Sequence, residues 1–276
     1  EIIKYRDFVD EHIIELFRSD QGDFQNFLMD LGISHEQQHQ ELILMDIKHI
    51  FFSNPLKPAY NKSGIEIKRK EKFSNEFILE CKVKFEYGDT SNKFCYDNEL
   101  PTGLTSIDPI KLSGFVTNGQ WKEFIEEGGY DSHEFWLSDG WDFLNKNNIN
   151  KPLYWIDKNH HFTLSGVRQI DNNSPVSHIS FYEACAFAKY KGLRLPNELE
   201  IEYFLKKSEI NGNFLESKKY CEVDYSNSDY NKLIFGNLWL WTSSNYVPYK
   251  NYKPFTKKLM DYNSKFMCNQ FVMKGG

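Results

Sequence analysis

The chain has 276 residues, a formal net charge of −6, 40% hydrophobic residues and 16% aromatic residues. This length suffices for two domains or one large domain, and the acidic balance argues against a nucleic-acid-binding surface. No apolar run approaches the roughly 18–20 residues that a membrane span needs, and the N-terminus lacks the pattern of a signal peptide.

The five cysteines are scattered and show no CxxC spacing. This pattern favours reduced thiols in a cytoplasm over a disulfide scaffold or a zinc ribbon. We therefore expect a cytoplasmic protein that binds neither nucleic acid nor membranes and acts as a monomer on small molecules.

Helical periodicity dominates the N-terminal part. Apolar residues recur at helical spacing over residues 2–19, and a break at 21–23 precedes a short helix over Phe24 to Leu31. The stretch from Leu31 to Asn54 then predicts a long helix with Ser34 as N-cap. Its apolar residues wrap most of the surface, which predicts burial in a helical bundle.

The long helix carries the densest cluster of metal-ligand side chains in the sequence. His35 and His39 are four residues apart, so a helix places both imidazoles on one face, where they can share one metal ion. Glu41 lies about 200° from His39 around the helix, on the far side. We expect Glu41 to orient a group from behind or to pair with a neighbouring helix.

Three interpretations of this helix stay open on the residues alone. HEQQH matches the zinc-hydrolase pattern, with Glu36 as the general base, but Leu42 and Met45 stand where a metzincin has Gly and His. Alternatively, two ligands of a three-ligand site lie here and the third lies elsewhere. The third interpretation is that both histidines are hydrogen-bonded bundle residues.

A Pro-rich linker runs from Pro55 to Gly64. After it the residue pattern predicts an irregular α+β domain. We expect strand-like segments and capped helices, followed by mostly loop after residue 206, and short aromatic pieces such as Trp136 to Trp141 joined by loops. The predicted elements are strands within Ile67 to Phe85 and Ile110 to Val116, and helices over Asn118 to Glu127 (N-cap Thr117), Ser180 to Lys191 (C-cap Gly192) and Asn197 to Lys206.

A series of motifs in this order resembles one family. The motifs are HEQQHQEL with NPLKPAY, Asp97-Asn98-Glu99, Val116-Thr117-Asn118-Gly119, Leu137-Ser138-Asp139-Gly140-Trp141, Pro152-Leu153-Tyr154-Trp155, Arg194-Leu195-Pro196, Gly236-Asn237-Leu238-Trp239 and Tyr262 to Gln270. Together they resemble the iron(II)-dependent sulfoxide synthases of ergothioneine biosynthesis, with the ovothiol-pathway synthases as a related branch.

The resemblance implies a domain plan. Residues 1–54 would be the C-terminal half of a DinB-like four-helix bundle, 55–64 the linker, and 65–276 an irregular C-type-lectin-like or formylglycine-generating-enzyme-like (sulfatase-modifying-factor) domain without its last strands. The chain opens inside a helical pattern and stops at Gly276, so we expect a fragment of a longer protein.

The resemblance also implies a reaction and its residues. A thiol, either cysteine or γ-glutamylcysteine, would be joined to the imidazole of Nα-trimethylhistidine with O2 as oxidant, giving a sulfoxide. Fe(2+) would be held by His35, His39 and a third histidine upstream of residue 1. Gln38, Asn269 and Gln270 would contact substrate, and Tyr246 or Tyr249 would be the proton donor.

Two departures from the family pattern are visible. Leu240 replaces a usual Glu and Ile201 replaces a usual Trp, which argues against a structural calcium site. The copper-binding cysteine pair of formylglycine-generating enzymes is not recognisable, which disfavours sulfatase maturation. The competing functions are a zinc metallohydrolase and a binding module with an incomplete site.

Overall fold

The computed structural model describes residues 1–18, 22–62, 76–91, 93–210, 212–221, 235–256, 259 and 265–276. The predicted strand pattern over 67–75, the last two linker residues and the start of the Tyr262 to Gln270 motif lie outside these ranges. The described part is a mixed α+β structure, as the sequence predicts.

Two helices form the N-terminal part, α1 (Ile2–Arg18) and α2 (Asp23–Ser53). The predicted division of residues 24–54 into a short helix and a separate long helix is wrong, because α2 runs unbroken for 31 residues from the N-cap Gly22, next to the predicted break at 21–23. Ser34 is therefore an interior residue and not a cap. A single helical glycine such as Gly32 costs about 1 kcal/mol relative to alanine, which is too little to interrupt a helix of this length.

The expected burial of these helices is not observed in the described structure. Neither α1 nor α2, whose residues are all described, contains a buried residue. Large apolar side chains such as Phe8 and Ile43 are more than half exposed. The DinB-like bundle therefore stays a prediction, and what the structure shows is two exposed helices, of which α2 contacts the second domain.

Four antiparallel strand pairs organise the described part of the second domain. The strands are β1 (Glu76–Leu79), β2 (Val83–Tyr87), β3 (Gly103–Ile107), β4 (Ile110–Ser113), β5 (His160–Thr163), β6 (Gly166–Gln169), β7 (Leu240–Tyr246) and β8 (Met267–Lys274). The pairs are β1 with β4, β2 with β3, β5 with β6, and β7 with β8. Pairing β2 with β3 inside β1 and β4 nests one hairpin within another.

The last strand pair corrects the prediction of loop after residue 206. The polar residues of β7 are typical of a loop. In the structure, however, Thr242 is fully buried and its hydroxyl donates to the Val272 carbonyl oxygen at 2.8 Å. Pairing with β8 satisfies the strand backbone, and this long-range contact has no local sequence signal.

Four helices connect the strands, namely α3 (Asn118–Glu126), α4 (Ser138–Asn147), α5 (Phe181–Tyr190) and α6 (Glu198–Lys206). Capping boxes at Thr117, Ser180 and Asn197 begin α3, α5 and α6. The three helices and the Thr117 cap agree with the prediction. The fourth helix, α4, differs from the prediction, since the sequence indicates only a short aromatic piece joined by loops at Trp136 to Trp141. Its Gly140 resembles turn chemistry, but a Cβ there would lie 2.6 Å from the Tyr182 ring, so glycine serves close helix packing.

Two apolar clusters hold this domain together. The larger is aromatic and joins α3, α4 and α5, with Trp121 stacked on Phe187 at a centroid distance of 5.0 Å. The smaller packs α6 against the nested hairpins through Phe204 and Phe85. Helix α6 thereby links the first four strands to β7 and β8.

Candidate functional site

The histidine pair forms on α2 as the spacing predicts. The Nε2 atoms of His35 and His39 are 3.0 Å apart, and the two rings meet edge to face with centroids 4.5 Å apart. Both side chains are exposed. The two imidazole nitrogens thus converge on one point outside the helix.

This separation is that of a hydrogen bond between the two rings, and it also fits a shared metal ion. Two nitrogens each about 2.1 Å from one ion and at a right angle to each other are about 3.0 Å apart. Neutral imidazoles suit Fe(II) as well as zinc, so the donors do not by themselves choose the metal. Within the ranges that the structure describes, no group of three or more His, Cys, Asp or Glu side chains is arranged to hold a metal.

The direction of the pair follows from the helix geometry. At about 100° per residue, His35 lies about 120° and His39 about 160° around α2 from Glu41, which faces the second domain. Glu36 lies further round, and its charge raises the pKa of Arg6 on α1, after the larger effect of Asp10. The pair therefore lies on the side of α2 between the directions of Glu41 and Glu36.

Contacts along one face of α2 fix this helix to the second domain. The Trp239 indole Nε1 donates to Glu41 Oε1 at 2.7 Å, and Lys48 Nζ lies 2.6 Å from His178 Nε2. Near the end of the helix, Phe52 packs on Tyr154 with centroids 5.0 Å apart. The prediction that Glu41 points away from the metal-binding face agrees with this contact, but its partner is a tryptophan of the second domain.

Tyr246 ends strand β7 and is half-buried. Its hydroxyl accepts a hydrogen bond from Asn98 Nδ2 at 3.0 Å, and Asn98 belongs to the short helical turn Asp97–Glu99. Burial raises the pKa of the Tyr246 hydroxyl, more than the Asn98 bond lowers it. The residue is therefore a neutral phenol at physiological pH and retains a proton that it can donate.

Tyr249 lies three residues further on, in a different environment. Its hydroxyl is 3.0 Å from Glu198 Oε1 and 2.9 Å from Glu202 Oε2. Burial, and then the two carboxylates, raise the pKa of Tyr249 strongly. A phenol has one proton, so it can donate fully to only one of these carboxylates.

Lys274 at the end of β8 completes this cluster. Its ammonium is 3.0 Å from Glu198 Oε1 and 3.4 Å from Glu202 Oε2. Burial alone lowers the pKa of Lys274, but the two carboxylates raise it by more, so the net shift is upward. The cluster ties β8 and the Tyr249 loop to α6.

The three predicted substrate contacts occupy exposed positions. Gln38 lies about 60° from Glu41 around α2, between the docked face and His35. Asn269 and Gln270 lie in β8, which pairs with the strand that ends in Tyr246. The structure thus places Tyr246, Asn269 and Gln270 on one strand pair and Gln38 beside the histidine pair.

Sequence reasoning missed Trp239, Glu202 and Lys274 as parts of the site region. Trp239 stands in one of the quoted family motifs, which was an available signal. Glu198 and Glu202 are four apart on α6, but a surface ion pair has the same spacing. Lys274 could not have been found, because its partners lie far away in sequence.

Other predictions concern cysteines, histidines and membranes. The five cysteines, all within the described residues, form no disulfide, as predicted. The His178 ring packs on Tyr154 with centroids 4.7 Å apart. In the described part of the chain no helix is long and apolar enough to cross a membrane.

Comparison with known proteins identifies the family. Residues 66–233 match the sulfatase-modifying factor enzyme 1-like domain, known as FGE-sulfatase. The match covers more than half of the chain, so the protein belongs to this family.

Individual relatives are more specific. The chain is 30% identical over 184 residues to a hercynine oxygenase of Mycobacterium tuberculosis, covering 65% of this chain and 42% of that protein. It is 30% identical over 186 residues to a hercynine oxygenase of Mycolicibacterium smegmatis, with the same two shares. An inactive C-alpha-formylglycine-generating enzyme 2 of Mus musculus is 24% identical over 198 residues, which is 55% of this chain and 63% of the mouse protein. The chain thus spans about two fifths of the length of the hercynine oxygenases that it matches.

Proposed function

We propose that this protein is a non-haem iron(II) oxygenase that joins a thiol to the imidazole of Nα-trimethylhistidine, also called hercynine, and yields a sulfoxide. The observation that carries the proposal is the His35–His39 pair, with a ligand-like nitrogen separation, in a chain whose relatives include hercynine oxygenases. The ovothiol-type synthase is the neighbouring alternative for the imidazole substrate.

The proposed reaction balances without an external reductant. One imidazole C–H bond and one thiol S–H bond break, and a C–S bond and an S–O bond form. The two hydrogens leave as water with the second oxygen atom. The four electrons removed from the two substrates reduce O2 completely, which is the chemistry that a bound Fe(II) ion would support.

The chain's own residues have distinct proposed roles. His35 and His39 would hold the metal through neutral Nε2 atoms, and Gln38 would hydrogen-bond the substrate imidazole through its amide. Tyr246 is the better candidate for proton donor, because the Tyr249 hydroxyl is engaged by Glu198 and Glu202. Asn269 and Gln270 would orient substrate from β8.

The test is anaerobic metal loading of the complete gene product, followed by O2 consumption with thiol and Nα-trimethylhistidine. We expect Fe(II)-dependent consumption that needs both substrates. His35→Ala or His39→Ala should weaken Fe(II) binding by more than the roughly 10–100-fold that loss of an outer-shell partner costs. The control His12→Ala removes an exposed histidine of α1 whose Nδ1 contacts the Phe8 carbonyl oxygen, and it should bind metal normally.

Two outcomes would overturn the proposal. Tight zinc binding with O2-independent hydrolysis that requires Glu36 would identify a zinc hydrolase. Normal metal binding in the His35→Ala and His39→Ala variants would show that the pair is not a metal site.

A further inference from the structure

We propose that Glu41 and Trp239 form a positioning pair that sets the histidine-bearing face of α2 relative to the β7–β8 strand pair. This inference rests on the proposed function, which assigns metal binding to the histidine face of α2 and substrate binding to the β7–β8 pair. The hydrogen bond between Glu41 and Trp239 is itself a feature of the fold. Neither residue needs to touch substrate or metal for this role.

Glu41 lies on the face of α2 that contacts the second domain. Glu41 is two residues from His39, and its carboxylate reaches the second domain through the 2.7 Å bond from Trp239 Nε1. It lies about 160° from His39 around the helix. A ligand of the same metal would have to share the His39 face, so Glu41 can affect the metal-binding face only by holding the helix.

The backbone near Trp239 restricts its indole. The chain reverses at Gly236, whose φ of 74° is left-handed and whose N–H donates to the Gly275 carbonyl oxygen at 3.2 Å. A Cβ on Gly276 would lie 2.1 Å from the Trp239 indole, so the C-terminal backbone lies close against that ring. The backbone at Gly276 therefore restricts one side of the indole, and the Gly236–Gly275 hydrogen bond holds that backbone to the segment that precedes Trp239.

Trp239 also lies next to the strand pair that carries the proposed substrate residues. Strand β7 begins at the next residue, Leu240, which pairs with Lys274 of β8. The same strand pair carries Tyr246, Asn269 and Gln270. The hydrogen bond between Glu41 and Trp239 thus joins α2 to the start of the strand pair that carries those side chains.

The test compares four variants of the complete protein. Glu41→Ala removes the acceptor, Trp239→Phe keeps a ring but removes the N–H donor, and the double variant removes both. Glu41→Gln keeps an acceptor oxygen on a side chain of equal length. Glu15→Ala, which removes an exposed carboxylate of α1, is the matched control for loss of charge.

Three measurements apply to each variant: Co(II) affinity from visible absorption, amide hydrogen exchange along α2, and the ratio of sulfoxide formed to O2 consumed. Glu41→Ala and Trp239→Phe should each speed exchange in the middle of α2 by about threefold to tenfold, as expected for loss of one hydrogen bond. The double variant should match the single ones. Co(II) affinity should stay within about twofold, the product-to-O2 ratio should fall, and Glu41→Gln should restore both exchange and ratio.

Several results would overturn the positioning role. Loss of Co(II) binding in Glu41→Ala, with no effect of Trp239→Phe, would make Glu41 part of the metal site. Additive effects in the double variant, or unchanged exchange in both single variants, would show that the two residues do not act as a pair. If the wild-type protein consumes no O2, the proposed function fails, while Co(II) affinity and hydrogen exchange still decide the positioning role.

Discussion

At the scale of single residues, the two tyrosines after β7 differ in what they contact. Tyr246 accepts a hydrogen bond from an amide, whereas Tyr249 donates toward carboxylates that also bind Lys274. Asn98 shapes the Tyr246 environment further, since its Oδ1 is buried and is the one buried side-chain polar atom without a hydrogen-bond partner among the described residues. The two hydroxyls are therefore suited to different roles.

Tyr246→Phe should lower the rate of sulfoxide formation by about 10²-fold or more, the usual effect of losing a proton donor, with a small change in stability. Tyr249→Phe should instead lower the free energy of unfolding by about 1–2 kcal/mol and leave most of the turnover rate. Single-turnover kinetics and urea denaturation of the two variants test this. The reverse assignment would follow if Tyr249→Phe alone lost turnover without losing stability.

At the scale of elements, the salt bridges of α6 to β8 should matter more than those on the surface. Lys274 keeps 23% of its side chain exposed and Glu202 keeps 9%. Lys274→Met would remove the cation of Glu198 and leave Lys206, 3.6 Å from Glu202 Oε1, as the remaining cation of Glu202 among the described residues, at a cost of about 2–4 kcal/mol. The matched control Lys111→Met breaks an exposed pair with Glu76 and should cost less than about 1 kcal/mol.

Urea denaturation at neutral pH compares the two lysine variants. Equal small effects would show that Lys274 does not hold β8 to α6. A large loss in both variants would show that methionine itself perturbs the strands, and Lys274→Ala with Lys111→Ala would then repeat the comparison.

The start of α6 should be sensitive to acid. Arg194 binds Glu200 through two hydrogen bonds of 2.8 Å, and Glu200 also accepts from the Asn197 backbone N–H at 2.7 Å. Burial alone raises the pKa of Glu200, but these hydrogen bonds lower it below its ordinary value of 4.5. A lowered folded pKa contributes stability above pH 4.5, and this contribution is lost as the pH falls through the folded pKa.

The comparison of wild type with Glu200→Gln measures this contribution. The wild type should be more stable at pH 7, and the difference in free energy of unfolding should shrink below about pH 4.5. Glu11→Gln, at an exposed position on α1, serves as the control. A difference that stays constant from pH 7 to pH 3 would contradict the assignment.

The elements also show what could be predicted from sequence. Helices with a capping residue and a strong 3.6-residue period, such as α5, were found with nearly correct ends. Helix α4 and strands β7 and β8 were missed, because Gly140 and the polar residues near Thr242 have their roles only through distant neighbours. The histidine pair was found because i, i+4 spacing is local, whereas the Lys274 cluster joins residues about 70 positions apart.

At the scale of the whole molecule, the described contacts that fix an N-terminal helix to the second domain all lie on α2. The described residues of α1 and α2 include none that is buried, so the two helices have no core of their own. The contacts of Phe52 with Tyr154 and Phe162, the latter fully buried, join α2 to the core side of the second domain. We therefore expect the contacts between α2 and the second domain to open at a lower free energy than the rest of the described structure.

Phe52→Ala should loosen this end of the helix at a cost of about 1–3 kcal/mol, below the 3–5 typical of a fully buried aromatic residue. The matched control Ile50→Ala changes a side chain on the same helix that is 62% exposed, and it should have little effect. Hydrogen exchange of amides 44–53 reports the difference. Equal protection in both variants would mean that Phe52 does not hold the helix.

The described contacts of helix α2 with the second domain extend from Phe27 on Phe255 through Glu41 on Trp239 to Phe52 on Tyr154. Phe27 and Phe52 are about 38 Å apart along the helix axis, so their contacts restrict tilting of α2. The rotation of the helix about its own axis then decides where the histidine pair faces. Inserting one residue between Glu41 and Phe52 would turn the histidine pair by about 100° relative to the domain, while a seven-residue insertion would turn it by only about 20° but move it about 10 Å. Insertions and deletions within positions 27–52 of α2 should therefore be excluded.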